Sequence, residues 1–157
     1  METRDSTIPT RLPALTLSGP HGAVPLRSPQ QGSRVLLLVR DDALERARPY
    51  LSALEQRMAE LREWYGSTLL VTERVLPDSA LPAARAEPET WVALGIREGA
   101  SALIIADRWG DVYSSQQSRS FDDLPSTAQI EEWIRFLAMQ CPECGVIDEP
   151  GYGEWTP

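Results

Sequence analysis

One stretch constrains this chain more than any other: Arg34 to Leu54, RVLLLVRDDALERARPYLSAL. Val35–Val39 is an unbroken apolar run of branched side chains. That pattern suits a strand buried on both faces, in the middle of a largely parallel sheet. Two acidic residues come immediately after it. Asp42 is placed to cap the next helix, with Glu45 three residues on completing a capping box. The helical pattern then carries Pro49 about two turns in, where a proline removes a hydrogen bond and bends the helix. A buried strand, a tight turn and a proline-bearing helix are therefore expected in immediate succession.

The flanking sequence extends this unit. Leu15-Thr16-Leu17 alternates like a short strand, Gly19-Pro20-His21-Gly22 is a turn, and Val24-Pro25-Leu26 reads as the return strand of a hairpin. After Pro49, the residues Leu51, Leu54, Met58, Leu61 and Tyr65 share one helical face, and Gly66 is well placed to end the helix. Thr68–Thr72 is a second buried strand, so a βαβ unit with a right-handed crossover is expected. Pro77–Pro88 reads as a loop or broken helix, and Glu89–Leu94 as a short helix ending at Gly95. Ser101–Ala106, the turn Asp107-Arg108-Trp109-Gly110 and Asp111–Ser115 form an antiparallel pair. Ser126 and Gln129 form a second capping box, opening a helix to about Gln140 with Ile130, Trp133, Ile134 and Leu137 inward.

Three groups of these residues resemble the thioredoxin-like redoxins, and among them the alkyl hydroperoxide reductase and thiol-specific antioxidant class. Pro49-Tyr50-Leu51-Ser52-Ala53-Leu54 is similar to the redoxin Pro-x-Leu-x-x-Leu pattern that comes after the active-site cysteines. Leu12–Leu26 resembles the family's opening hairpin, and Ile104–Tyr113 its strand, Asp-x-x-Gly turn and return strand. The resemblance spans residues 12–140 and implies an α/β fold: a thioredoxin-like three-layer sandwich, with a central mixed sheet, an N-terminal β-hairpin and helices on both faces. Residues 1–11 would be a flexible leading segment, and 141–157 a tail carrying a Cys-x-x-Cys pair and aromatics.

The same resemblance marks where the usual chemistry is missing. Family spacing puts the two redox cysteines on Asp41 and Leu44, and a peroxiredoxin-style register puts the peroxidatic cysteine on Ala47. The position that carries a cis-proline in thioredoxins, or an arginine in peroxiredoxins, falls on Gly99-Ala100-Ser101. No peroxidase activity is expected at that site.

Cys141-Pro142-Glu143-Cys144-Gly145 is the sharpest remaining feature. Three readings stand. The pair can cycle a small disulfide, with Cys141 and Cys144 as the catalytic residues. It can be half of a zinc knuckle, completed by His21 and a carboxylate or by a second chain, since zinc wants four ligands. Or it is a structural disulfide or two quiet thiols. Thiol reactivity is disfavoured by position: the pair comes after a helix, near its negative end, among Glu143, Asp148 and Glu149.

Composition narrows the function classes. The formal net charge is −8, which disfavours nucleic acid and anionic membrane as partners. Arg supplies every basic side chain, since the chain has no Lys. No stretch suggests a membrane span or a leader, so a cytoplasmic location is expected. No cofactor is implied. The leading expectation is a redoxin-type protein of thiol–disulfide chemistry centred on Cys141 and Cys144. The alternative is an inactive thioredoxin-fold binding or oligomerisation module, with a protein partner or homodimer. Trp155, near the end of an acidic tail, is expected to dock on this domain or a partner, and closure of the cysteine pair would change the angle at which the tail leaves.

Overall fold

The central apolar run becomes the strand on which the domain is built. In the computed structural model, residues 5–28 and 32–140 are described. β3 (Ser33–Leu38) is buried at every residue. It pairs in parallel with β4 (Gly66–Thr72) on one side and antiparallel with β6 (Ser101–Ala106) on the other. Around these lie β1 (Thr16–Gly19), β2 (Gly22–Pro25), β5 (Ala83–Arg85) and β7 (Val112–Ser118), giving a sheet in the order β2-β1-β5-β4-β3-β6-β7.

Side-chain alternation along β3 divides the core into two layers. Val35, Leu37 and Val39 face a cluster with Ala47, Leu54, Leu61, Ile130, Trp133, Ile134 and Leu137. These come from α1 (Leu44–Gln56), α2 (Met58–Glu63) and α4 (Thr127–Met139). Leu36 and Leu38 face the opposite cluster, with Leu12, Leu17, Leu26, Trp91 and Leu94, under α3 (Pro88–Ala93) and the hairpin. The expected three-layer α/β sandwich is the observed architecture.

Residues 5–11 run along the β7 edge. The Asp5 N–H donates to the Ser115 carbonyl at 3.0 Å, Val112 N–H donates to Thr10, and Ile8 enters the core. Arg34, on the central strand, is 3% exposed. Its guanidinium donates to the carbonyls of Leu26 (3.1 Å) and Pro25 (2.7 Å) and to Ser67 Oγ (3.1 Å). Burial brings its pKa down to about 10, so it stays a cation at neutral pH, held by carbonyl dipoles.

Four local expectations are corrected. Asp42 does not cap α1. Residues Asp41–Ala43 form a 3-10 turn, the α1 N-cap is Ala43, and no side-chain cap bond is made there. Gly66 does not end the second helix. Tyr65 takes the left-handed position instead, at φ 61, and Gly66 already belongs to β4. The reason is space: a Cβ on Gly66 would sit 2.8 Å from Ile134 Cγ2 and 3.1 Å from the Leu61 carbonyl, so α4 requires glycine where the strand begins. The single helix expected from Pro49 onward passes through the proline and divides at Arg57. The segment expected as a loop from Pro77 holds the short strand β5. Ser126 does cap α4, accepting from the Gln129 N–H at 3.2 Å.

Candidate functional site

A parallel βαβ unit places the C-terminal ends of its two strands side by side, so the residues just past β3 meet those just past β4. Here Arg40-Asp41 meets Glu73-Arg74. Glu73 Oε1 accepts the Asp41 N–H at 2.8 Å, and Glu73 Oε2 lies 3.8 Å from Arg40 Nη1. Arg74 Nε lies 3.7 Å from Asp41 Oδ2. The Arg40 guanidinium also stacks over the Trp91 ring at 4.4 Å, and Trp91 Nε1 donates to the Ala86 carbonyl at 3.2 Å. Two cations and two carboxylates thus interleave around the first turn.

This is the junction where redoxin spacing puts the active site. Asp41 is exposed on the 3-10 turn, Leu44 packs partly buried at the start of α1, and Ala47 is fully buried in the core. Ser101 is buried at the start of β6, one residue beyond the Leu38–Ala102 pair, so it lies at the same sheet end as Arg40. The structure therefore brings Asp41, Leu44 and Ser101 to one end of the sheet and withdraws Ala47 beneath it. No thiol stands among these residues. The backbone donor freed by the turn, which would favour an anion, already holds the Glu73 carboxylate.

Beside this junction is a groove of about 680 Å³ between α1 and the 74–81 segment. Its apolar lining includes Leu44, Leu51, Leu70, Leu76 and Leu81. Charges stand around these residues. Arg48 pairs with Glu45 at 3.1 Å. Glu55 and Asp78, which also line the groove, have no ion-pair partner among the described residues.

Tyr50, on the opposite side of α1, donates its hydroxyl to the Pro125 carbonyl at 2.6 Å. Burial pushes the phenol pKa above its ordinary value. The Asp107 carboxyl is also raised by burial, although the Trp109 and Asp111 N–H groups donate to it at 2.9 and 3.0 Å.

The expectation on Cys141 and Cys144 lies outside the described residues. The point where the chain leaves α4 is described: Gln140 lines a crevice with Ser33, Tyr65 and Trp109, at the end of the sheet opposite Asp41. His21 is exposed on the β1–β2 turn. Among the described residues no group of three or more His, Cys, Asp or Glu is arranged to hold a metal, and no helix is long and apolar enough to cross a membrane.

Sequence reasoning missed Glu73, Arg74, Arg40 and the groove. The pairing of Arg40-Asp41 with Glu73-Arg74 was open to it, since both dipeptides come directly after strands expected to be parallel neighbours. The groove was not, because it depends on how the 74–81 segment returns against α1.

No family model and no curated protein sequence matches the chain. Solved structures do. Peroxiredoxin Q from Xanthomonas campestris superposes with a TM-score of 0.61 at 14% identity, covering 79% of this chain and 92% of that one. A peroxiredoxin-like protein from Aquifex aeolicus gives 0.65 at 14% identity, covering 83% and 86%. A candidate thiol:disulfide interchange protein, DsbE, from Chlorobium tepidum gives 0.66 at 17% identity, covering 88% and 100%. The fold is thioredoxin-like.

Proposed function

We propose that this thioredoxin-fold chain is a binding protein that takes an extended segment of a partner protein in the groove beside α1, without thiol chemistry at the β3–α1 junction. The observation that carries this reading is the occupied helix start. A reactive thiolate is favoured by free helix-terminal amides and nearby cations. At this junction Glu73 holds the Asp41 amide, and both neighbouring arginines are in ion pairs. The groove supplies what a peptide needs: leucines to bury apolar side chains, and two carboxylates, Glu55 and Asp78, without an ion-pair partner among the described residues. Its fitting occupant is an extended segment with apolar residues and one or two basic ones. A protein partner also agrees with the net charge of −8, which opposes nucleic acid and anionic membrane.

A second reading keeps thiol chemistry and moves it to Cys141 and Cys144. The Cys-x-x-Cys spacing favours it. The described chain leaves α4 at Gln140, at the sheet end opposite the junction.

The experiment that tests the first reading is selection of peptides from a random displayed library against the unsubstituted full chain, with each binder then measured on the chain carrying Cys141→Ser and Cys144→Ser. Apolar peptides with basic residues are expected, and Leu76→Asp should weaken their binding at least about tenfold, the loss of one buried apolar anchor. Binders indifferent to Leu76→Asp would overturn the groove. Binding that needs both cysteines would move the function to the second reading.

A further inference from the structure

The described chain ends at Gln140, beside a surface whose chemistry complements residues 141–157. Gln140 lines one crevice with Trp64, Tyr65, Arg108, Trp109 and Leu137. Tyr65 is 71% exposed, although most tyrosines of a folded domain bury more of the ring. Its backbone is left-handed, at φ 61. Arg108 lies over the Trp109 ring, 5.5 Å from its centroid. On the facing side Arg135 lies 5.4 Å over the Trp64 ring. Arg108, and Arg62 on the last turn of α2, have no carboxylate partner among the described residues. Asp107 directs its carboxylate into its own turn, at the N–H groups of Trp109 and Asp111, which leaves Glu63 as an opposing charge on α2. The rim is aromatic with guanidinium groups set on the rings.

Residues 141–157 have the opposite character. They contain four carboxylates, Glu143, Asp148, Glu149 and Glu154, no cation, and the aromatics Tyr152 and Trp155. We infer that the C-terminal segment 141–157 folds back onto this rim, setting Trp155 against Trp64 and Trp109 and its carboxylates against Arg108 and Arg62. The pairing matches aromatic to aromatic and anion to guanidinium.

The tether selects this occupant over a second copy of the chain. For a random chain, an interval of about 15 residues, the number from Gln140 to Trp155, corresponds to a root-mean-square span of roughly 20 Å. That reaches across a crevice which begins at Gln140 itself. Short tethers give effective concentrations in the millimolar range. A second copy instead approaches as a body of formal charge −8 against another of the same charge.

The test uses the full chain and the indole N–H resonances of Trp64, Trp109 and Trp155. Docking is expected to move the Trp155 cross-peak away from the free-indole position. Trp155→Ala should shift the Trp64 and Trp109 cross-peaks. Arg108→Glu, which sets a carboxylate against four others, should return Trp155 to the free-indole position, and so should high salt. All of this should be independent of protein concentration. A Trp155 cross-peak at the free-indole position in the unsubstituted chain, with Trp64 and Trp109 unmoved by Trp155→Ala, overturns the inference. Shifts that appear only as concentration rises overturn it in favour of a second copy.

Discussion

Placing a cysteine at the β3–α1 junction turns the electrostatic argument into a number. In an Asp41→Cys variant the new thiol sits on the exposed 3-10 turn, beside Glu73 and Arg74. Arg74, released from Asp41, favours the thiolate; the Glu73 carboxylate at the turn's backbone amide opposes it. The informative quantity is therefore the difference made by a second change, Glu73→Ala. Two unit charges about 5 Å apart interact by about 0.8 kcal/mol in bulk water and about 3 kcal/mol at an effective dielectric of 20. The side chains of Asp41 and Glu73 are 42% and 40% exposed, which keeps the value near the lower figure. Freeing the Asp41 amide for the thiolate adds a comparable contribution. At about 1.4 kcal/mol per pKa unit, Glu73→Ala should lower the thiol pKa by about one unit. The assay is the pH dependence of iodoacetamide alkylation at position 41, in a background with Cys141 and Cys144 replaced by serine. A thiol pKa unchanged by Glu73→Ala would refute the claim that Glu73 neutralises this helix start.

Two further outcomes are expected from packing and protonation. Gly66→Ala should destabilise the fold by about 1–3 kcal/mol in urea unfolding, because the new Cβ meets Ile134 and the Leu61 carbonyl; a loss below about 0.5 kcal/mol would contradict the account of why a glycine opens β4. Tyr50 has a folded pKa raised by burial, so the folded state holds its phenol proton after the unfolded chain releases it. Stability from this group is full below the unfolded tyrosine pKa of about 10 and falls as pH rises above it. Tyr50→Phe should cost about 1 kcal/mol at neutral pH, from the lost bond to Pro125, and should flatten that alkaline decline. An alkaline limb as steep as that of the unsubstituted protein would contradict it.

The large elements were legible because each is dictated by its own residues. Val35–Val39, Thr68–Thr72 and Ser101–Ala106 are apolar runs that find shelter only inside a covered sheet. Ser126 caps α4 through a bond to a residue three positions away, and local sequence carries that information. The features that escaped depend on distant partners. β5 is Ala-Ala-Arg, with little strand propensity, and exists because it pairs with Leu70–Thr72 of β4 and Ser18 of β1. The Asp42–Glu45 box yielded to a 3-10 turn whose first amide is met by Glu73, 32 residues away. Gly66 opens β4 and does not end a helix, and α4, from late in the chain, leaves no room there for a Cβ. The candidate site shows the same division. Asp41, Leu44 and Ser101 lie at one sheet end, where strand register and the turn after β3 put them. The charge cluster and the groove there are assembled by residues 73–81.

The central claim, that this chain works by binding beside α1 and not by thiol chemistry at the junction, is tested most directly by one measurement. It is the affinity of a selected peptide for three full-length proteins: the unsubstituted chain, the Cys141→Ser/Cys144→Ser variant, and Leu76→Asp. The account predicts equal affinity for the first two and at least about tenfold weaker binding to the third, a difference of about 1.4 kcal/mol. Equal affinity for all three, or binding lost with the cysteines, would contradict it.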